Sequence, residues 1–460
     1  SSGGLTNITD LGQKISQGLI VPGKADSSKI YQRILSTTSP MPPAGQARPS
    51  AKEIEQFKKW IDEGAKVVSA TISEVKLVPE EKLLTDAGLD LVKEVPSPDE
   101  RKKIRYLSFA AAQNAGVGED ALKTLLQGTI KMLNSLSVAP TVYKAKISSK
   151  SHFLLRISLD EIGWTSATWE KLVKAYPYQI VPSNQKILSV LQEQTGTALP
   201  VIRADWLVAN ASQPPLYYDL LSSPATFTEL TKILSIDLPT AQKSEKIMRA
   251  GFNNSEVADF SRVIERVESP KNFVMWHSYE FGSSFGDKNP FDKPFGPGTV
   301  YSDKTKTLAF KEDGKEIIYT LPNGFLAFYV CDALGNRLNE APTRARNTGA
   351  VSGVAIVGVA CMTCHSQGLL EKTDQIRAAA QKRTDLSQAL IDLLNNIYTD
   401  PGKFVAQIKA DTLDFQKSLK EAGIDVTQAD PVSRIFKTFN DSVSLAVAAG
   451  EMGVGPEEIR

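Results

Sequence analysis

The sequence predicts a mainly helical α+β protein. It divides into a small helical module at 1–66, a linker at 67–96 and a larger region at 97–460. Three observations carry this. Capped amphipathic segments recur at helical spacing along both halves. Residues 270–340 alternate apolar and polar and are broken by hairpin-type turns, the pattern of an antiparallel meander. From 370 to 450 the periodicity is helical again. A chain of 460 residues is long enough for two or three cores.

In the first module, Ile8–Gln17 is a polar helix candidate closed by the turn Ile20-Val21-Pro22-Gly23. Ser27–Ser36 carries Ile30, Ile34 and Leu35 on one face, and Pro40-Met41-Pro42-Pro43 is a rigid extended loop. Ser50–Gly64 is the best-marked helix. Ser50 and Glu53 form a capping box, Ile54, Phe57 and Ile61 make the inner stripe with Trp60 beside it, and Gly64 ends it. Val67–Val78 alternates weakly, and Pro79 and Pro96 punctuate the linker.

The larger region opens with Ser97 as N-cap, Pro98 at N1 and Glu100 at N3. Ile104, Leu107 and Ala111 continue a helical stripe, and Glu119–Ser135 is a second helix. Val142–Ile147 and Phe153–Ser158 read as a strand pair. Thr168–Ala175, Ser223–Leu234 and Gln242–Ala250 read as helices, and Leu199–Ala211 carries Arg203-Ala204-Asp205-Trp206. In the meander, Phe273–His277, Thr307–Phe310, Ile317–Leu321 and Phe325–Asp332 are strands. Glu312-Asp313-Gly314 and Pro322-Asn323-Gly324 are their turns. The C-terminal helices are Lys372–Arg383, Leu386–Tyr398, Pro401–Ala422 and Val432–Gly450.

Composition narrows the function classes. Net charge is +1, so nothing argues for nucleic acid or an anionic membrane as partner. No run of 18 apolar residues occurs, so no transmembrane helix is expected. Three cysteines make no disulfide framework.

The one strong motif is Cys361-Met362-Thr363-Cys364-His365. This C-x-x-C-H spacing is that of c-type haem attachment. Two thiols two residues apart span the vinyl groups on one edge of the porphyrin, and the adjoining His is carried under the ring to ligate iron. The lead-in Val354–Ala360 is small and apolar, as suits a segment against a flat macrocycle. A redox dithiol, a structural zinc site and a chance match are the rival readings. A dithiol does not need the His. Zinc needs four ligands, and only Cys331, His152 and His277 are added elsewhere.

Residues 1–66 resemble the planctomycete-type cytochrome c domain. The resemblance lies in Ser2-Gly3-Gly4-Leu5, Ile20-Val21-Pro22-Gly23-Lys24, Ser28–Ile34, Met41-Pro42-Pro43 and Ile54–Ala65. It implies a distal haem ligand at Met41. That family's own C-x-x-C-H lies just upstream of the Ser-Gly-Gly segment, where this chain begins, so a second haem is expected only with a longer N-terminus. From 97 onward the chain is similar to the large haem-bearing region that follows such modules in exported bacterial cytochromes, through segments such as Tyr176-Pro177-Tyr178, Arg203–Trp206, Leu321–Gly324 and Cys361–Gly368. The resemblance implies haem c as cofactor, a periplasmic or extracellular location and no particular substrate.

The distal side of the iron decides the chemistry. A filled sixth position favours electron transfer and an open one favours peroxide or small-ligand chemistry. His277, set among Trp276, Tyr279 and Phe281, is the first distal candidate, with a half-buried strand histidine as the plain alternative. His152 and Met452 follow, then an open site or a Lys or Tyr ligand. Arg344 and Arg346 are candidates to pair with haem propionates, or lie in a solvated loop. Glu280, His277 or Asp205 are the candidate acid–base groups of an enzyme, or parts of a salt-bridged scaffold. Cys331 reads as a small buried hydrophobe. The expected function is an exported c-type cytochrome passing electrons to a redox partner protein or another haem domain. The alternatives are a haem peroxidase or oxidase, and a structural subunit of a multi-haem assembly or homo-oligomer.

Overall fold

A computed structural model of the chain describes all residues except 1–13, 16, 37, 39–48, 66–76, 179–184, 244–246, 254–259, 298–302, 342–354, 444, 455–457 and 459–460. It forms two compact units, 1–75 and 76–460. Helix dominates, with 47% of residues helical and 15% in strands.

In the first unit, helices Lys29–Leu35 and Ala51–Asp62 enclose a core of Ile20, Ala25, Ile30, Tyr31, Ile61 and Ala65. The Ser50–Glu53 capping box is formed, satisfying two backbone donors at the second helix's start. Asp62 at its other end accepts from the Ala25 amide at 2.9 Å and so ties the preceding turn down. Met41 lies outside the described residues.

The expected linker differs. Residues 66–76 are not described, but Glu80–Glu94 is a helix of the second unit. Leu83, Leu84, Ala87 and Leu91 are buried against Tyr106, Leu154, Leu188 and Leu191. Their helical spacing sits within a polar stretch, which hid it behind the flanking prolines.

A four-stranded sheet comprises β1 (Ile104–Ser108), β2 (Lys146–Ile147), β3 (Leu154–Ser158) and β4 (Val201–Arg203), in the order β2-β3-β1-β4. β1 pairs antiparallel with β3 and parallel with β4. The helical stripe expected over Ile104–Ala111 is therefore a strand followed by a short helix. All five β1 residues are buried, and ladder pairing on both edges overrides the local spacing.

The second sheet is an antiparallel meander of β5 (Ile247–Phe252), β6 (Arg262–Glu268), β7 (Val274–Glu280), β8 (Gly314–Thr320) and β9 (Leu326–Asp332). It begins earlier than expected. The helix expected over Gln242–Ala250 ends at Lys243, and β5 and β6 precede residue 270. Thr307–Phe310 is not a strand: Asp303–Leu308 is a 3-10 turn, and Ala309 makes only isolated bridges. The Pro322–Gly324 turn joins β8 to β9, with Gly324 at φ +81° where a left-handed residue is needed. One face of the meander packs on the main core through Val267, Met275, Ile317 and Tyr329. The other meets Phe404 and Ile408 of the helix Pro401–Glu421 through Ala250 and Trp276. With both faces covered, the strands lose clean alternation. The single helix expected over Val432–Gly450 is two, Pro431–Asn440 and Leu445–Glu451. Among the described residues no helix is long and apolar enough to cross a membrane.

Candidate functional site

The two motif thiols are placed by a short helix, Val359–Cys364. Gly358 starts it at φ +91°, and a Cβ there would stand 2.3 Å from the Ser212 carbonyl oxygen, so only glycine lets the chain enter. Val359, Ala360 and Met362 are buried and fix the inner side of the turn. Cys361 and Cys364, three residues apart, fall on one face of it. Both line a cavity of about 150 Å³, as does His365. Its wall is predominantly apolar: Phe252, Ile264, Ile318, Phe328 and Val330 from the meander, and Ile408 from the long helix.

His365 is held from two sides. Its amide donates to the Cys361 carbonyl at 2.8 Å, and its Nδ1 lies 3.0 Å from the Gly368 carbonyl oxygen. A carbonyl only accepts, so Nδ1 carries the proton and Nε2 keeps the lone pair, the tautomer a metal ligand needs. Burial pushes the imidazole's pKa down and keeps it neutral. Its ring lies 6.0 Å from that of Phe328 at 30°. The turn carrying Gly368 is clamped by the long helix. Thr412 Oγ1 accepts from the Leu369 amide at 3.1 Å, and Gln416 Nε2 donates to the Gln367 carbonyl at 2.9 Å.

The thiols are unlike those of a redox dithiol. Burial pushes Cys361 up to about 12 and raises Cys364 as well, whereas an attacking thiolate needs its pKa depressed. Among the described residues no group of three or more His, Cys, Asp or Glu side chains is placed to hold a metal ion. Two thiols at this spacing and a neutral imidazole with its Nε2 lone pair available thus line one mainly apolar cavity.

One polar cluster interrupts the apolar wall. Arg262 on β6 lies 2.9 Å from Glu280 on β7 and 3.1 Å from Glu316 on β8. Arg262 and Glu316 both line the cavity. Burial drives Glu280 upward to about 7, because Arg262 offsets only part of the desolvation cost and Glu316 adds like charge. Trp276, also in the wall, is fixed by its Nε1 donating to Asp411 at 2.7 Å, and Arg266 binds the same carboxylate at 2.7 Å. Arg262, Glu316, Asp411 and Thr412 were not singled out from the sequence. The density of charge in Arg-Val-Ile-Glu-Arg-Val-Glu of β6 is the one local signal of this cluster.

His277 is brought to this sheet but turned away. Strand alternation places it on the face opposite Trp276 and Ser278. Its backbone position adds to the cavity wall, but its Nε2 lies 2.9 Å from Glu265, both side chains fully buried. Gln242 and Tyr279 donate to the same carboxylate, and Arg249 pairs with it. As a distal ligand from within this cavity, His277 is on the wrong side of the pleat. His152 is exposed in the loop before β3, its ring tilted against that of Phe153, and Met452 is 62% exposed; neither lines the cavity. Arg344 and Arg346 lie outside the described residues. Arg203 pairs with Asp205 at 2.5 Å and Glu451 at 3.1 Å, a salt-bridged scaffold. Cys331 is fully buried between strand neighbours, as a small hydrophobe.

No protein-family model matches the chain, and neither the curated proteins nor the solved structures contain a match to it.

Proposed function

We propose that the chain is an exported c-type cytochrome whose haem is attached through Cys361 and Cys364 and ligated by His365, and that it transfers electrons to a redox partner or another haem domain. One observation carries the reading: the C-x-x-C-H residues stand together on the wall of an apolar cavity, with His365 fixed by Gly368 as the Nδ1–H tautomer. Each thiol would add its S and its H across one vinyl group with no leaving group, so the two sulfurs must reach the ring edge. The bound haem supplies a one-electron iron couple. The chain's own residues position it, exclude water and set its electrostatics. An exported chain belongs in the periplasm or outside the cell.

The Arg262–Glu280–Glu316 cluster favours a second reading, a haem enzyme of the peroxidase or oxidase class, because such chemistry needs acid–base groups beside the haem. A spectrum of the purified protein with haem quantified per chain separates them. About one haem per chain, low-spin and unmoved by cyanide or CO, is the electron-transfer outcome. A high-spin band that shifts on adding either ligand puts the enzyme first. A chain isolated from a haem-attaching host without covalent haem sinks both.

A further inference from the structure

The cavity wall carries Arg262 and Glu316 in mainly apolar surroundings, and Arg262 also holds Glu280, which does not itself line the cavity. Arg262 Nη2 meets Glu280 Oε2 at 2.9 Å and Arg262 Nη1 meets Glu316 Oε2 at 3.1 Å. Ser278 Oγ also bonds Glu280. Across the sheet, Phe252, Arg262, Glu280, Gly314 and Asp332 lie in register. Gly314 brings no side chain, and Asp332 is engaged by the turn Leu334–Asn336. The haem-motif side adds Cys364 and His365, and Lys372 also lines the cavity. With both carboxylates ionised, the Arg262 cluster holds one negative charge in excess. A low-dielectric site cancels such an excess in one of two ways: a nearby positive charge, or a proton.

We infer that Glu280, gripped by Arg262 beside the cavity, takes up a proton when an electron enters the site, so that the protein moves electron and proton together. The inference rests on the haem reading above. A bound haem would supply the one-electron couple, its oxidised state favouring the Glu280 carboxylate and its reduced state the protonated acid. The electron comes from a one-electron donor protein and the proton from water. The O–H bond formed on Glu280 replaces the one broken in the hydronium ion or buffer acid that gives up the proton. Desolvation already pushes Glu280 to about 7, so the exchange falls in the physiological range.

The test is a potentiometric titration of the full-length haem-loaded chain from roughly pH 5 to roughly pH 9, a range that spans the neutral region. The expected midpoint potential falls as pH rises around neutrality, approaching about 59 mV for each tenfold drop in proton concentration. Glu280→Gln flattens the slope, whereas Glu316→Gln, which removes the excess negative charge, shifts the potential upward and moves the sloped region to lower pH. A flat wild-type profile in protein with covalent haem overturns the inference, as does a slope that survives in Glu280→Gln. Should Glu280→Gln not fold, reduction of the wild type in weakly buffered pH indicator decides: proton uptake supports the role, and none removes it. A chain that carries no covalent haem overturns the cytochrome reading itself, which the haem assay shows before any titration.

Discussion

The carbonyl oxygen of Gly368 stands 3.0 Å from Nδ1 of His365, and Gly368 reaches that position at φ +125°. A Cβ at 368 would lie 2.6 Å from Thr412 Cγ2, so both the backbone and the space exclude a side chain. Gly368→Ala is expected to cost about 1–3 kcal/mol of stability and to lower haem content, by turning the carbonyl off the imidazole. Gly88→Ala in the helix Glu80–Glu94, where the nearest atom lies 4.0 Å from the new methyl, is the control and should be neutral or stabilising by about 0.5–1 kcal/mol. Denaturant midpoints and haem per chain read both; equal behaviour of the two variants rules out the clamp.

Removing one thiol tests the attachment. Cys361→Ala or Cys364→Ala should leave a folded chain whose haem is held by a single thioether, and the double variant should lose haem under denaturing electrophoresis or mass spectrometry. Cys331→Ala should keep full attachment, because Cys331 is fully buried and does not line the cavity. Unchanged covalent haem in the double variant would falsify the attachment.

Lys131 and Asp430 form an ion pair with side chains 3% and 2% exposed, joining the helix Glu119–Ser135 to the start of Pro431–Asn440. Asp430 also accepts from the Ser433 amide at 2.8 Å as helix cap. Asp430→Ala should destabilise by about 3–5 kcal/mol, since it strands a buried ammonium and removes a cap. Lys131→Met with Asp430→Asn should recover part of that in urea unfolding. A loss under about 1 kcal/mol for Asp430→Ala is incompatible with the pairing.

Glu265 makes the acid limb of stability. Burial alone would raise its carboxyl, but Arg249, His277 and Gln242 overcome that and hold it at about 2. A depressed folded-state pKa gives stability that is fully present above the unfolded value of 4.5 and lost as pH falls through about 2. The difference amounts to about 3 kcal/mol. Glu265→Gln should flatten the stability profile across that window while lowering stability at neutral pH. An unchanged acid limb in a folded variant refutes the assignment.

How far the sequence could be read follows from where each signal is local. Ser50 with Glu53 and Ser97 with Pro98 cap helices through neighbours a few residues away, and both caps are formed. The Pro322–Gly324 turn is legible for the same reason. Ile104–Ser108 was not, because its buried run is equally compatible with a helix until β3 and β4 pair with it. β6 was missed because three of its four charged residues find partners from other segments: Arg262 with Glu280 and Glu316, Glu265 with Arg249, Arg266 with Asp411.

By itself the sequence determined the C-x-x-C-H spacing, the helix caps and the mainly helical character with a meander, since each depends on residues adjacent along the chain. Only the tertiary structure decided that His277 faces Glu265 rather than the cavity. Only it decided that Gly368 is clamped by Thr412, and that Arg262 and Glu316 line the same cavity as Cys361, Cys364 and His365. Those relationships depend on strand register and on the packing of a helix some forty residues further along the chain, which no local pattern encodes.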